Sequence, residues 1–467
     1  MRVTSAFSRL LDLPGVWVRG VEFLADRVVV RVALRRKRLV CPLCEFSTGA
    51  REGVQDHESA WRHLDLGVWR LEVRARLRQL RCPEHGVHVE GVPFARHRAR
   101  CTCDFDDLVA WLATKADKMT ITRLVRIDWQ TIGRIIERVG GELIDADRLS
   151  DLFEVSVDEV AWRKGHRYLT LVGDHRQGCV VWGTEGKGQA AADAFFEELD
   201  PPPEAPRPEP PTQTRQAPEP AIMVPFGPCP TVPAGHGIQG AWLEPDREIE
   251  PAIFARASRL RAVSMDMTGG YAKSVREHAP QATIVIDNYH VAQLATKALD
   301  EVRRERWNEL RQAGDKHAAK AFKNARWSLL KNPADLTDQQ AATLAALQAA
   351  GGKVARAWEL KELVRAIFAA GLTVTAVAEL LDRLLARLSR SRLQPFVRLG
   401  RTIRKHRDGI LAARALKLSN ARAEALNNKV KLIVRRAYGF HSARAALALI
   451  HLTCAPFTLT LPHEKSR

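Results

Sequence analysis

Three acidic residues stand where they could hold metal ions for phosphodiester chemistry. Asp158 and Asp266 each end a strand-like apolar run, and Glu424 lies in a helix-like segment much later in the chain. Clustered carboxylates can hold two divalent cations roughly 3.5–4 Å apart, one to activate the nucleophile and one to stabilise the leaving oxygen. Mg²⁺ suits such a cluster because it prefers a few carboxylates with water and substrate phosphate, and Mn²⁺ is the alternative. The trio therefore predicts a two-metal site that cleaves a phosphodiester.

The segment around Glu424 has the spacing of a helix with two distinct faces. Polar residues three or four positions apart share one face: Asn420, Glu424, Asn427 or Asn428, and Lys431. Apolar residues at the same spacing share another face, which should be buried: Leu426, Val430 and Ile433. Candidate contacts to a phosphate backbone follow on the same helix: Lys429, Lys431, Arg435 and Arg436. For the last two, a solvated helix end is the alternative.

The charge balance of the chain points to a polyanionic partner. Its 467 residues contain 72 Lys and Arg against 54 Asp and Glu, a net charge of +18. Such a surplus favours nucleic acid first and an anionic membrane second. Asp12 and Pro14 interrupt the N-terminal run that a signal peptide would need, and the apolar segment 445–461 is too short to span a bilayer. We therefore expect no membrane association.

Two closely spaced pairs of residues predict a structural zinc site. Cys41-Pro-Leu-Cys44 and Cys82-Pro-Glu-His85 have the spacing of zinc knuckles. The predicted ligands are Cys41, Cys44, Cys82 and His85. Cys101 and Cys103 are further candidates for one of these positions, although a single intervening residue suits two ligands of one tetrahedral ion poorly. Free cysteines in a core are the alternative.

Changes in composition divide the chain into segments that together predict a multidomain α/β protein. The segments are a β-rich zinc-binding module (1–103), a helix-turn-helix region (104–150), a first part of a catalytic core (151–200), a proline-rich and disordered insertion (201–250), a second part of the core (251–290), a basic helical insertion (291–416) and a C-terminal part with the Glu424 helix (417–467). The helix-turn-helix assignment rests on a turn near Arg126, and an ordinary antiparallel helix pair is the alternative. Without the two insertions, the core has the element order of an RNase H-like fold.

A fourth carboxylate competes with Asp266 for its place. Asp287 also ends an apolar run, Thr283-Ile-Val-Ile. We prefer Asp266 because the fourth strand of an RNase H-like sheet lies beside the first, whereas the fifth lies one strand farther out. His290 follows Asp287 by three residues and could position the scissile phosphate. A hydrogen-bonded histidine at a helix start is the alternative for His290.

Together these motifs resemble the ISL-three (ISL3) family of bacterial insertion-sequence transposases over almost the whole chain. Four stretches carry the resemblance: Val157-Asp-Glu-Val-Ala-Trp-Arg-Lys-Gly-His, Ser264-Met-Asp-Met-Thr-Gly-Gly-Tyr, Ala282-Thr-Ile-Val-Ile-Asp-Asn-Tyr-His-Val, and Ser419-Asn-Ala-Arg-Ala-Glu-Ala-Leu-Asn-Asn-Lys-Val-Lys with Ala437-Tyr-Gly-Phe. The resemblance implies that Asp158, Asp266 and Glu424 are the catalytic metal-binding residues of a DDE transposase. Two features depart from the family pattern: His85 stands where a second cysteine is expected, and the proline-rich insertion interrupts a compact core.

The resemblance also implies the partners of the protein. They are double-stranded DNA, as terminal inverted repeats and as target, and further copies of the chain in a homodimer or higher oligomer on DNA. A cytoplasmic, nucleoid-associated bacterial protein is expected. Two other functions stay open. One is a non-catalytic DNA-binding regulator derived from a transposase, and the other is an RNase H-like nuclease that cuts branched DNA or RNA hybrids.

Overall fold

The computed structural model describes residues 2–144, 146–201, 255–267, 269–368, 371–418, 421–456 and 459–465. Nearly all of the proline-rich insertion predicted at 201–250 lies outside these residues, and so does Asn420. Within the described part of the chain, no helix has both the length and the apolarity to cross a membrane.

The N-terminal module is built on a four-stranded sheet. Its elements are α1 (Val3–Leu11), β1 (Val16–Phe23), β2 (Arg27–Leu34), β3 (Leu39–Val40), β4 (Ser47–Thr48), β5 (Gly53–Val54), β6 (Ser59–Leu66), β7 (Trp69–Ala75), β8 (Arg78–Cys82) and β9 (Gly86–Val89). The main sheet has the order β1-β2-β7-β6, and two smaller sheets, β3-β4 and β5-β8-β9, lie outside it. Val28, Val30, Leu71 and Val73 are buried in one core, because alternate residues of β2 and β7 face the same side.

Three helices form the next region, and the last two of them have the predicted helix-turn-helix order. They are α2 (Cys103–Lys115), α3 (Lys118–Val125) and α4 (Trp129–Glu142). The side chains of Asp117 and Asp128 accept hydrogen bonds from the first-turn amides of α3 and α4, which starts each helix at its predicted position. Arg126 ends α3 in the left-handed conformation, with φ of 57°. The predicted turn near Arg126 is thus confirmed.

A five-stranded mixed sheet forms the core of the remaining chain. Its strands are β10 (Glu154–Arg163), β11 (Arg167–Asp174), β12 (Cys179–Glu185), β13 (Ala262–Met265) and β14 (Thr283–Ile286), in the order β12-β11-β10-β13-β14. The first three strands are antiparallel, whereas β10, β13 and β14 run parallel. The predicted pairing of the fourth core strand with the first is therefore confirmed.

Helices cover both faces of this sheet. Helices α5 (Gln189–Leu199) and α6 (Gly269–His278) share one core with Val155 and Val157 of β10. Val160 and Trp162 of β10 belong to a second core on the opposite face, which the helix-turn-helix region and the C-terminal helices complete. Asp158 lies on the side of β10 opposite to Val155 and Val157. Both faces are covered, and alternation along β10 turns Asp158 toward the second core.

The basic helical segment continues the first core instead of forming a separate body. It comprises α7 (Asn288–Gln312), α8 (Lys316–Asn324), α9 (Arg326–Leu330), α10 (Asp338–Ala350), α11 (Gly352–Ile367), α12 (Val374–Arg390), α13 (Gln394–Lys405) and α14 (Arg407–Ala415). Helix α7 begins directly after β14, so the boundary expected after residue 290 falls inside it. Val291 and Leu299 of α7 are buried in the core that holds Val155. The chain then completes the second core with α15 (Ala421–Arg436) and α16 (Ala443–Cys454).

Candidate active site

Strand register brings the three aspartates to one level of the sheet. The sequence predicted that Asp158 ends its strand, but β10 continues beyond it to Arg163. Ser156 of β10 pairs with Ser264 of β13, so the same register carried on by two residues sets Asp158 beside Asp266. Met265 pairs with Ile286 of β14, and one further residue sets Asp266 beside Asp287. Neighbouring strands are about 4.8 Å apart. Asp266 therefore lies one strand from Asp158 and Asp287 lies two, which agrees with the preference for Asp266.

All the predicted carboxylates line a single pocket of about 190 Å³. Asp158, Asp266, Asp287 and His290 form its sheet side, and Glu424 reaches it from α15. The carboxylates are spread around the walls. In the described part of the chain, two groups of at least three Cys, His, Asp or Glu side chains have all their ligand atoms within 4.8 Å of one another. The carboxylates of this pocket belong to neither group.

Asp158 is half-buried in the pocket, and both of its carboxylate oxygens are hydrogen-bonded. Its Oδ1 accepts a hydrogen bond of 2.7 Å from the backbone N–H of Glu159, and its Oδ2 accepts one from Nδ2 of Asn427. Burial raises the pKa of Asp158, and the charge of Asp266 adds to the rise, although His290 and Lys431 act against it. A nearby cation would relieve this energetic cost of ionising Asp158. Asp158 thus sits where a bound cation stabilises the carboxylate form.

Asp287 holds the start of α7 and orients His290. Its Oδ1 accepts a 2.8 Å hydrogen bond from the backbone N–H of Tyr289, and its Oδ2 lies 2.9 Å from Nδ1 of His290. This hydrogen bond, opposed by burial and aided by the charges of Asp158 and Asp266, raises the pKa of His290. His290 is therefore biased toward its cationic form beside the carboxylates. His290 is thus a hydrogen-bonded histidine at a helix start, and its contact with the scissile phosphate stays a prediction.

Helix α15 presents Glu424 to the pocket because its apolar face is anchored in the second core. Val430 and Ile433 are buried and Leu426 is half-buried, as their spacing predicts. Asn427 lies one turn after Glu424 and reaches Asp158 across the pocket. The helix therefore supplies both a carboxylate and the hydrogen-bond donor that orients a strand carboxylate.

A layer of polar side chains supports the pocket from behind. Nε2 of His175 lies 2.6 Å from the hydroxyl of Ser264, which lines the pocket beside Asp266. Burial lowers the pKa of His175, which favours the neutral ring. On the opposite face of β10, Glu159 accepts a 2.8 Å hydrogen bond from the hydroxyl of Tyr271. No local sequence pattern indicates these contacts, because the partners lie 89 and 112 residues apart.

Comparison with known families agrees with this arrangement. The transposase model of the ISL3 family matches residues 155–206 and 249–450, which include every carboxylate of the pocket. The model for the helix-turn-helix domain of transposase family ISL3 matches residues 90–140. The chain belongs to the ISL3 family of DDE transposases. Its helix-turn-helix and transposase regions imply that it binds DNA.

Individual relatives match this transposase along nearly its whole length. The transposase for insertion sequence element IS1557 of Mycobacterium tuberculosis, in strains CDC 1551 / Oshkosh and ATCC 25618 / H37Rv, is 33% identical, with 95% of this chain and 94% of the relative aligned. The transposase for insertion sequence element IS1001 of Bordetella parapertussis is 26% identical, with 92% of this chain and 94% of the relative aligned.

The candidate DNA contacts on α15 occupy different surroundings in the transposase. Lys431 lines the carboxylate pocket, and Arg435 lines a separate groove. Nζ of Lys429 donates a 2.5 Å hydrogen bond to the carbonyl of Thr453. The guanidinium of Arg436 donates to the carbonyls of residues 113 and 114, at the end of α2, over 3.1 and 2.9 Å. The structure therefore brings Lys431 to the pocket, whereas Arg436 joins α15 to α2.

Arg422 connects the first turn of α15 to the sheet, a contact that the sequence did not indicate. Its Nη1 donates hydrogen bonds of 3.2 and 3.0 Å to the carbonyls of His175 and Arg176, in the turn between β11 and β12. These bonds hold the first turn of α15 on the sheet, two residues before Glu424. The partners lie 247 and 246 residues away in the chain, so no sequence spacing predicts them.

Arg422→Met should slow strand cleavage roughly tenfold at saturating DNA, because losing hydrogen bonds worth about 1 kcal/mol each lets Glu424 move from its place. Affinity for DNA should change little. Single-turnover cleavage and a binding titration measure the two effects separately. Arg422→Lys keeps the charge and one donor nitrogen, and should retain part of the rate. A loss of affinity with an unchanged rate would instead make Arg422 a DNA contact.

The predicted zinc ligands come together in the N-terminal module. Ligand atoms of Cys41, Cys44, Cys82 and His85 all lie within 4.8 Å of one another. Sγ of Cys82 is 3.5 Å from Nδ1 of His85 and 3.7 Å from Sγ of Cys44. Three sulfurs and one imidazole are a donor set typical of structural zinc. The histidine that departs from the family pattern therefore occupies the fourth corner of the cluster.

The other candidate cysteines lie outside this cluster. Cys101 is buried in the core of the helix-turn-helix region, and Cys103 is the first residue of α2. The 37 residues between Cys44 and Cys82 contain the whole β6–β7 hairpin of the main sheet, which accounts for the length of this interval. The zinc cluster thus joins the small β3-β4 and β5-β8-β9 sheets at a point where few apolar side chains meet.

Proposed function

We propose that this transposase binds the terminal inverted repeats of an insertion sequence and catalyses metal-dependent DNA strand cleavage and strand transfer. The observation that carries the proposal is the common pocket of Asp158, Asp266 and Glu424. Two of these carboxylates share a level of the sheet and the third comes from a helix anchored in the core. Family membership supports DNA as the substrate.

Asp158, Asp266 and Glu424 would hold Mg²⁺, as two ions, with Mn²⁺ as the alternative. Such ions lower the pKa of bound water and stabilise charge on the leaving oxygen. The raised pKa of the buried Asp158 beside Asp266 fits a site that gains from cations. A rim of several carboxylates also suits hard cations, which prefer oxygen ligands.

The remaining pocket residues orient the carboxylates and receive the phosphate. Asn427 fixes one oxygen of Asp158, and the Glu159 backbone N–H fixes the other. Asp287 holds His290 toward the pocket, where its imidazolium can donate a hydrogen bond to a phosphate oxygen. Lys431 adds a second positive charge at the same wall. The protein would therefore place the scissile phosphate against the carboxylates before the phosphodiester bond breaks.

Recognition of the element end is assigned to the first 150 residues. Helix α4 exposes Gln130 and Arg134 near its N-terminus, the part of a recognition helix that reads base edges in the major groove. The zinc module, with Cys41, Cys44, Cys82 and His85 as Zn²⁺ ligands, would extend the contact along the DNA. A homodimer or higher oligomer would bring two element ends together.

The products formed on DNA distinguish transposition from both alternatives. A labelled duplex with one inverted repeat and its flanking sequence is incubated with the transposase, Mg²⁺ and a supercoiled plasmid. We expect a nick or break at the repeat terminus and covalent joining of the freed 3′ end to the plasmid. A duplex with a scrambled repeat should give neither product. Cleavage without joining would favour the nuclease, and binding without either product would favour the regulator.

A further inference from the structure

A large groove separates the helix-turn-helix region from the C-terminal end of α15. Its volume is about 960 Å³. Residues from α3, the start of α4, the β10–β11 turn and the segment after α15 line it, and we call it the aromatic groove: Lys118, Met119, Trp129, Arg163, Lys164, Arg435, Tyr438 and His441. The carboxylates of the catalytic pocket are not among its lining residues.

Large side chains in the aromatic groove are unusually exposed. Tyr438 is 90% exposed, Met119 72% and Trp129 47%. Nζ of Lys118 lies 5.5 Å from the centre of the Trp129 ring, and His441 meets that ring edge-on at 6.4 Å. A cluster of this kind on a highly charged protein is typical of a binding surface.

The backbone holds Tyr438 in this exposed position. Its φ is 51°, and Gly439 follows with φ of 112°. A residue with a bulky side chain rarely adopts the left-handed conformation, because its Cβ approaches the backbone closely. Packing does not account for Tyr438, since its ring has almost no cover. Tyr438 stands just after α15, where a left-handed residue commonly ends a helix, so the helix end and Gly439 together fix the position of the ring.

The rim of the aromatic groove is basic and largely unpaired. The lining contains Lys118, Arg163, Lys164 and Arg435, with Asp117 as the single carboxylate. The side chains of Arg163, Lys164 and Arg435 take part in no hydrogen bond or ion pair with other described residues. Asp117 already caps α3. The groove therefore combines aromatic rings on which bases can stack with basic side chains that can bind phosphates.

Spacing along β10 and α15 gives the distance between the aromatic groove and the catalytic carboxylates. Ala161, the first groove residue of β10, lies three residues after Asp158, which is about 10 Å along a strand. Arg435 follows Glu424 by eleven residues on α15, which is about 16 Å along a helix. At about 3.4 Å per nucleotide of one strand, the groove begins about three to five nucleotides from the carboxylates.

We propose that the aromatic groove binds unpaired nucleotides of the DNA strand next to the cleavage site. Bases would stack on Tyr438 and Trp129, and their phosphates would meet Arg163, Lys164 and Arg435. A single strand fits better than a duplex, because base pairs within a duplex cover each other's faces. The unpaired cations of one sign favour a polyanion over a protein segment. The binding of unpaired nucleotides does not depend on the proposed function. Only the identification of the bound strand as the one next to the cleavage site rests on it.

Binding of a labelled single-stranded oligothymidylate of about twelve nucleotides tests the groove without any chemistry, in a buffer to which no Mg²⁺ or Mn²⁺ is added. Tyr438→Ala should weaken binding about 5- to 150-fold, as expected for losing one stacked base. Tyr438→Phe keeps the ring and should bind like the wild type. Trp327→Ala removes a ring outside the groove whose exposure, 54%, is close to the 47% of Trp129, and should also leave affinity unchanged. Equal affinities for the wild type, Tyr438→Ala and Trp129→Ala would overturn the proposal.

A second measurement places the bound strand relative to the cleavage site. Element-end duplexes with mismatches three to five nucleotides from the terminus should bind the wild type more tightly than a fully paired duplex, and Tyr438→Ala should abolish this preference. Circular dichroism confirms folding of each variant. A paired duplex that competes as well as the single strand, or a loss of self-association instead of DNA affinity, would contradict the proposal. If strand cleavage is absent but Tyr438 governs single-strand affinity, the proposed function fails and the groove assignment stands.

Discussion

Asp158→Ala, Asp266→Ala and Glu424→Ala should each reduce Mg²⁺-dependent cleavage of element-end DNA by about 10³-fold or more. Each substitution removes a carboxylate from the common pocket, so that neither the nucleophile nor the leaving oxygen is stabilised. The affinity for end DNA should stay the same or rise slightly, because negative charge near phosphate is lost. Single-turnover cleavage and gel-shift titrations of the same preparations measure both quantities.

Asp287→Ala is the matched control for the triad. Asp287 lies two strands from Asp158 and accepts a hydrogen bond from His290. Its loss should therefore disturb the position of His290 at the phosphate, and should reduce cleavage less than the loss of Asp266 does. If cleavage survives Asp266→Ala but disappears in Asp287→Ala, the second carboxylate has been assigned to the wrong strand. Full cleavage in all three triad variants would place the chemistry elsewhere in the chain.

Cys82→Ser should abolish stoichiometric zinc and weaken specific binding of the element end by at least about 100-fold. The zinc cluster has a very small core, in which Leu39 and Leu80 are the buried residues other than cysteines. Binding of structural zinc contributes about 10–16 kcal/mol to the folding of small domains, so this corner of the module should unfold without the metal. Zinc content and gel shifts with specific and scrambled duplexes provide the measurements.

Cys103→Ser tests whether this effect is specific to the cluster. Cys103 is the first residue of α2 and lies outside the group of Cys41, Cys44, Cys82 and His85. Its substitution should leave zinc content and end binding unchanged. Normal zinc content in Cys82→Ser, or loss of zinc in Cys103→Ser, would show that the ligand set is wrong. Cleavage of a pre-bound end at high protein concentration should persist, because the zinc cluster lines no part of the carboxylate pocket.

Patterns within single elements were sufficient to predict much of the fold. Val430 and Ile433 repeat at helical spacing and are buried as predicted. The helix-turn-helix could be predicted from Asp128 and the turn before it, because a helix cap and a turn are each specified by residues only a few positions apart. Asp266 and Asp287 both end apolar runs, and both reach the pocket because their parallel strands end at the same level.

Contacts between distant segments could not be predicted in the same way. Asn427 binds Asp158 across 269 residues, and Arg422 binds the β11–β12 turn across 246. Neither residue differs locally from other polar residues of a helix. The position of Asp158 between two buried faces was also missed, because alternation along β10 shows which residues share a face but not what covers it. The sequence also did not show that Asp287 both follows β14 and caps α7.

A change of ligand chemistry tests most directly whether the carboxylates of Asp158, Asp266 and Glu424 contact the catalytic ions. A thiolate prefers softer cations than a carboxylate does. We predict that Asp266→Cys fails to cleave element-end DNA in Mg²⁺ and regains measurable cleavage in Mn²⁺, whereas Asp266→Ala stays inactive in both. Equal inactivity of Asp266→Cys and Asp266→Ala in Mn²⁺, together with Mn²⁺ rescue of Asp287→Cys, would contradict the assignment.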